Sequence, residues 1–186
     1  EDIIDIPVSA TSRLQRPADE EDQASQPNVL ITGAAGVISR IVCPYLASDY
    51  NLVGLDSSPA PPDLEGWVAD WVVGSVADRD LAKDLAAPSQ YILHLATGAR
   101  DGWRGLRDVE IEGTRNILDG AIEGGASRVI LASSSHVVGG VELDVLAGQE
   151  CGAVRVADPM RPDGLYGAAK AFSEALGRAA SELYSQ

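Results

Sequence analysis

The run Val29-Leu30-Ile31-Thr32-Gly33-Ala34-Ala35-Gly36-Val37-Ile38 constrains this chain more than any other stretch. A short apolar strand, a tight glycine turn and the first residues of a helix follow one another without a break. Gly33 can take the backbone angles of the turn, and Gly36 lets the chain pass close to a bulky diphosphate. The unpaired amides and positive dipole end of the following helix would hold a pyrophosphate. A β-turn ahead of a helix also carries glycine for structural reasons alone, so the turn by itself leaves the binding and structural readings evenly matched.

From Asn28 onward short strand-like apolar runs alternate with longer helix-like stretches. That alternation is the mark of βαβ units wound around a parallel sheet, so the expected class is a doubly wound α/β fold. Strands are expected near 28–32, 51–55, 68–73, 91–95 and 128–133, and helices near 37–48, 78–86, 104–123 and 165–183. In 104–123 the residues Leu106, Val109, Ile111, Thr114, Ile117, Leu118 and Ala121 recur at helical spacing and supply one apolar face. Asp56 closes the second strand, a little over twenty residues beyond Gly33. An acid there accepts hydrogen bonds from an adenosine ribose and repels the extra phosphate of NADP, which favours NAD, although Asp56 also suits a plain turn before Ser57-Ser58-Pro59.

A length of 186 residues fits one domain with a real core. The formal net charge of -14 argues against a nucleic-acid backbone or an anionic membrane as partner. No apolar run approaches the roughly 20 residues that span a bilayer, and the acidic start lacks the basic region of a secretory signal, so a cytoplasmic protein is expected. Cys43 and Cys151 lie far apart with only His94 and His136 as other soft ligands, which suggests buried thiols and neither a metal cluster nor a disulfide framework. Residues 1–27 read as an acidic flexible tail or linker, and 28–186 as the folded domain. Within the tail, Ile3-Ile4-Asp5-Ile6-Pro7-Val8 is an apolar patch suited to docking on a neighbouring surface. The chain lacks an initiator Met, and either processing or a longer parent sequence is expected.

Tyr166 and Lys170 stand four residues apart, hence on one face of a helix. A cation beside a phenol favours the phenolate, which can exchange a proton with a substrate hydroxyl. Upstream, Arg128-Val129-Ile130-Leu131-Ala132 runs from a buried strand into Ser133-Ser134-Ser135-His136. Ligands bind at such carboxyl-end strand termini, and a serine there can steady the substrate oxygen as hydride moves. Alternatively the serines merely cap the strand. A Ser-His hydrolase is disfavoured, because no Gly-x-Ser-x-Gly elbow surrounds them.

The glycine turn, His94-Leu95-Ala96-Thr97, Gly113-Thr114-Arg115-Asn116-Ile117-Leu118, the serine run and Tyr166-x-x-x-Lys170 occur in one order. In that order the chain resembles the extended short-chain dehydrogenases, the NAD-dependent epimerase/dehydratase family. Ala132-Ser133-Ser134-Ser135-His136 together with Arg161-Pro162-Asp163-Gly164-Leu165-Tyr166-Gly167 is most similar to the uronate dehydrogenase branch. The resemblance covers nearly all of 28–183 and implies a Rossmann-like fold binding NAD. It implies catalytic roles for Ser134, Tyr166 and Lys170, with Lys170 also holding the nicotinamide ribose. Cofactor contacts are implied at Gly33, Ala35, Gly36, Val37, Ile38, Asp56, Ser75, Val76, Leu95, Ala96 and Thr97. Substrate contacts are implied at Ser134, Ser135, His136 and Tyr166, and a structural role at His94. It also implies a homodimer through helices near 104–123 and 165–183.

Four positions depart from the family pattern. Ser39 occupies the third glycine position, Ser75 replaces an aspartate near the adenine, Glu110 replaces an asparagine that supports the lysine through water, and Val138 replaces an aromatic residue. A carboxylate at 110 can pair with Lys170 and change the charge balance around Tyr166. Family members continue past the tyrosine helix into a sixth strand and a carboxyl-terminal substrate lobe, and the chain is expected to lack that lobe. The expected activity is NAD-dependent hydride transfer on a sugar or sugar acid. The alternatives are a noncatalytic dinucleotide-binding or sensor module, or a sugar-nucleotide epimerase/dehydratase.

Overall fold

The computed structural model describes residues 26–148 and 153–184. Most of the acidic segment, its Ile3–Val8 patch and Cys151 lie outside the described residues. Five strands form one parallel sheet in the order β3-β2-β1-β4-β5: β1 (Asn28–Thr32), β2 (Asn51–Asp56), β3 (Asp70–Val73), β4 (Tyr91–His94) and β5 (Arg128–Leu131). Registers such as Leu30 opposite Val53 and Ile92, and Leu93 opposite Ile130, set the carboxyl ends of β1, β2 and β4 side by side. The doubly wound, Rossmann-like reading holds, with strand ends differing from the expected ranges by up to two residues.

Successive side chains of a strand face opposite ways, and a parallel sheet buries both faces, so its strands read as unbroken apolar runs. Leu30, Leu55 and Ile92 pack on one face against α2 (Arg79–Ala86) and the later helix carrying Ile117 and Ala121. Val29, Ile31 and Leu52 pack on the other against Cys43 and Ala47, in and just after α1 (Val37–Leu46). α2 begins at Asp78, whose carboxylate accepts from the Leu81 amide at 3.2 Å, a cap of the preferred residue type. Cys43 is fully buried, and burial pushes its thiol up to about 11, so it serves as a small core side chain.

The expected single helix over 104–123 is instead three pieces: α3 (Gly102–Gly105), a π-helical turn at Leu106–Gly113, and α4 (Thr114–Gly124). Its apolar spacing was compatible with either winding. A wider π turn is uncommon and concentrates at functional sites, and here it brings Glu110 into the interior. Hydroxyls stabilise it: Thr114 Oγ1 and Ser173 Oγ donate to the Glu110 carbonyl at 2.6 and 2.9 Å. After β5 come a 3-10 turn at Ser135–Val137, a short α5 (Gly140–Leu146), and the long α6 (Leu165–Tyr184). The 3-10 turn and α5 carry no strong periodicity and were not expected. Among the described residues no helix is long and apolar enough to cross a membrane.

Candidate functional site

Gly33 sits at φ +67°, and a Cβ there would fall 2.7 Å from the Ala96 amide nitrogen. The β1–α1 turn and the end of β4 therefore touch backbone to backbone, which only glycine permits. Ser39 does not disturb this packing. It is fully buried, and its hydroxyl donates to the Gly33 carbonyl at 3.0 Å, holding the turn where a third glycine would only make room. α1 starts at Gly36 with no side-chain cap and no acid in its first turn. Its first amides, from Val37 and Ile38 onward, have no intrahelical acceptor and present a positive end suited to an anion.

Asp56 reaches back to the turn: Oδ2 accepts from the Ala35 amide at 2.9 Å and Oδ1 from the Ser58 amide at 2.8 Å. Its carboxylate is thus both a turn organiser and part of the wall of a cleft of about 190 Å³ lined by Gly33, Asp56, Ser75, Val76, Ala96 and Thr97. The structure brings these six of the expected cofactor residues together. Ser75 Oγ also accepts from the Ala77 amide, ordering the loop after β3. Leu95 differs: its side chain packs in the α1-side core, and only its backbone adjoins Gly33. Among the described residues no group of three or more His, Cys, Asp or Glu could hold a metal.

The second half of the site lies where β5 meets α6. Lys170, 4% exposed, donates to the Ala132 carbonyl at 2.9 Å and stands 5.9 Å from the Tyr166 ring centre. Its ammonium also lies 2.8 Å from Glu110 Oε2, in an ion pair whose acid is fully buried. Glu110 Oε1 accepts from the Thr97 hydroxyl. A polar chain therefore runs from the cleft through Thr97 and Glu110 to Lys170. The possible pairing of a carboxylate at 110 with Lys170 is realised directly.

Around Tyr166, the His136 ring packs edge-on at 5.6 Å, and His136 Nδ1 lies 2.7 Å from Asp163 Oδ2. The turn can approach α6 this closely because residue 167 is glycine, where a Cβ would come 2.2 Å from the His136 carbonyl oxygen. The three serines separate in role. Ser133 donates to Glu174 on α6, Ser134 Oγ accepts from the His136 amide at 3.2 Å, and Ser135 begins the 3-10 turn. Nothing in sequence spacing pointed to the His136–Asp163, Ser133–Glu174 or Thr97–Glu110 pairs, which join residues on separate loops and elements.

His94 is buried between the two halves. Thr32 Oγ1 lies 2.7 Å from Nδ1 and Thr114 Oγ1 3.1 Å from Nε2. With Thr114 donating to the Glu110 carbonyl, Nε2 carries the ring proton and Nδ1 accepts from Thr32. Burial, with the nearby Lys170 charge adding to it, pushes the imidazole down to about 3, so it is neutral. The arrangement offers an anion-binding turn, an acidic cleft wall, and a phenol and ammonium beside a hydroxyl-rich strand end, which together suit proton exchange next to a bound dinucleotide.

The sequence profile of the family described as "NAD dependent epimerase/dehydratase family" matches residues 29–186. An L-arabinose 1-dehydrogenase (NAD(P)(+)) from Haloferax volcanii is 32% identical over 157 residues, covering 80% of this chain and 59% of the relative. A uronate dehydrogenase from Agrobacterium fabrum is 30% identical over 159 residues, covering 85% and 57%. A solved uronate dehydrogenase from Agrobacterium tumefaciens, a mutant complexed with NAD, superposes with a TM-score of 0.69 at 26% identity, covering 87% of this chain and 58% of that one. The chain thus spans a little over half the length of these relatives.

Proposed function

The chain belongs to the NAD-dependent epimerase/dehydratase family, and from that premise we propose that it is the dinucleotide-binding part of an oxidoreductase acting on a sugar or sugar acid. NAD, when bound, supplies the hydride acceptor. The residues fit it: the Gly33–Gly36 turn and the uncapped start of α1 suit the pyrophosphate, and Asp56, Ser75 and Val76 suit the adenosine end. Ala96 and Thr97 flank the cleft on the β4 side. Lys170, its charge offset by Glu110, holds the nicotinamide ribose beside Tyr166, Tyr166 takes the proton from the substrate hydroxyl, and Ser134 donates to the same oxygen. Ser135 and His136 contact the sugar, with Asp163 fixing the imidazole.

The observation that carries this reading is the buried Lys170 beneath Tyr166, connected through Glu110 and Thr97 to the glycine-turn cleft. The test follows nicotinamide reduction by absorbance when the protein meets NAD and a panel of uronic acids and aldoses. Tyr166→Phe is expected to lose about 10²–10⁴-fold in kcat while still binding NAD. Turnover that survives in the variant would remove Tyr166 from the chemistry, and bound NAD without turnover in the parent would leave a dinucleotide-binding module.

A homodimer through the outer faces of 104–123 and 165–183 belongs to the same proposal, supported by the exposure of Leu165 and Phe172 on α6. Light scattering that finds only monomer at micromolar concentration would remove it.

A further inference from the structure

The buried acid at 110 changes the charge of the site, and the site is meant to hold a ligand whose own charge changes. The nicotinamide ring of NAD+ is a cation and that of NADH is neutral, so the electrostatics around the ring decide which form binds better. A lone lysine beside the ring would disfavour the cation. Here Lys170 is neutralised by Glu110 at 2.8 Å, and both groups are buried, where charges are screened less than in water. The same carboxylate accepts from the Thr97 hydroxyl, and Thr97 lines the cleft.

We propose that Glu110 is a specificity-determining residue that makes the site prefer the oxidised dinucleotide, by cancelling the Lys170 charge beside the nicotinamide. This rests on the dinucleotide-binding reading above. The preference is a ratio of two affinities, so contacts that both forms share drop out of it, including any bond from Lys170 to the ribose.

Isothermal titration calorimetry of the full chain with NAD+, NADH and ADP-ribose tests the inference. ADP-ribose lacks the nicotinamide and reports damage to the rest of the cleft. In Glu110→Gln, NAD+ is expected to weaken roughly tenfold relative to NADH, with ADP-ribose changing less than about twofold. Lys170→Met leaves the carboxylate uncompensated and is expected to move the ratio the opposite way. The double variant Glu110→Gln/Lys170→Met restores the net charge and should return the ratio near its original value. Should Glu110→Gln not fold with its lysine left unpaired, Lys170→Met decides the matter alone. A ratio unchanged in every variant that folds, or an equal loss for all three ligands, overturns the inference and leaves dinucleotide binding standing. An unmodified chain that binds none of the three ligands overturns the binding reading and this inference together.

Discussion

The two faces of the sheet are made of similar apolar residues and meet different fates. On one face, α2 and α4 cover the inner strands, where Leu30, Ile92 and Ile117 are fully buried, and a hollow of about 520 Å³ over β5 between α4 and α6 is lined by Leu118, Ala121, Val129, Leu131 and Gly177. On the other, α1 covers β1 and β2 but leaves the β4–β5 side open. There Tyr91 and Leu93 are half-buried, Ile130 is 54% exposed, and a hollow of about 390 Å³ is lined by Val29, Leu46, Tyr50, Tyr91, Leu93 and Ile130. The outer side of α1 adds Val37, Ile38, Ile41 and Tyr45, all more than half exposed. An apolar residue in a strand stabilises the fold only where an element packs on it, and the better-covered face also carries the polar cluster that meets Lys170 through Glu110. His94, Thr114, Glu110 and Ser173 form their hydrogen-bonded cluster there.

The comparison breaks most visibly at Leu30. Leu30→Ala on the covered face is expected to cost about 3–5 kcal/mol of unfolding free energy in a urea titration, from lost transfer energy plus a cavity that the surrounding helices cannot fill. A cost below about 1 kcal/mol would mean that the covered face is not tightly packed.

A middle-sized effect sharpens the same contrast through pH. The His94 imidazole falls from its ordinary 6.5 to about 3 in the folded chain, so between those values the unfolded chain binds a proton that the folded chain refuses. Its contribution is complete above pH 6.5 and is lost as pH falls toward 3, with ~2 kcal/mol gone by pH 5. Urea unfolding at pH 7 and pH 5 should show this extra loss in the parent and not in His94→Gln. Equal losses in both proteins would remove the buried neutral histidine from the account.

The smallest effect belongs to the open face. Ile130→Ser is expected to change stability by less than ~0.5 kcal/mol, since the side chain is already more than half in water. A loss comparable to that of Leu30→Ala would show that something covers this face in solution.

Much of the fold was legible because its signals are local. β1, its glycine turn and α1 announce themselves in consecutive residues. The spacing of Tyr166 and Lys170 also gave their common helix face, because helical geometry alone fixes it. The π turn was hidden, because Leu106, Val109 and Ile111 suit either winding, and the hydroxyl of Ser173 that supports the turn lies 63 residues from Glu110. Ser39 read as a departure from glycine, and only the folded chain shows its hydroxyl holding the turn.

The sequence by itself determined the five strands and the principal helices between them, the phosphate-suited turn, the acid closing β2 and the pairing of a phenol with an ammonium. Each follows from residues near one another in the chain, where backbone geometry leaves little choice. Tertiary structure alone decided that Glu110 would lie against Lys170, that Thr97 would join them to the cleft, and that one face of the sheet would be covered more fully than the other. Those outcomes depend on which distant elements meet, and the free energy of a buried charge or an apolar side chain is set by the neighbours that folding brings to it.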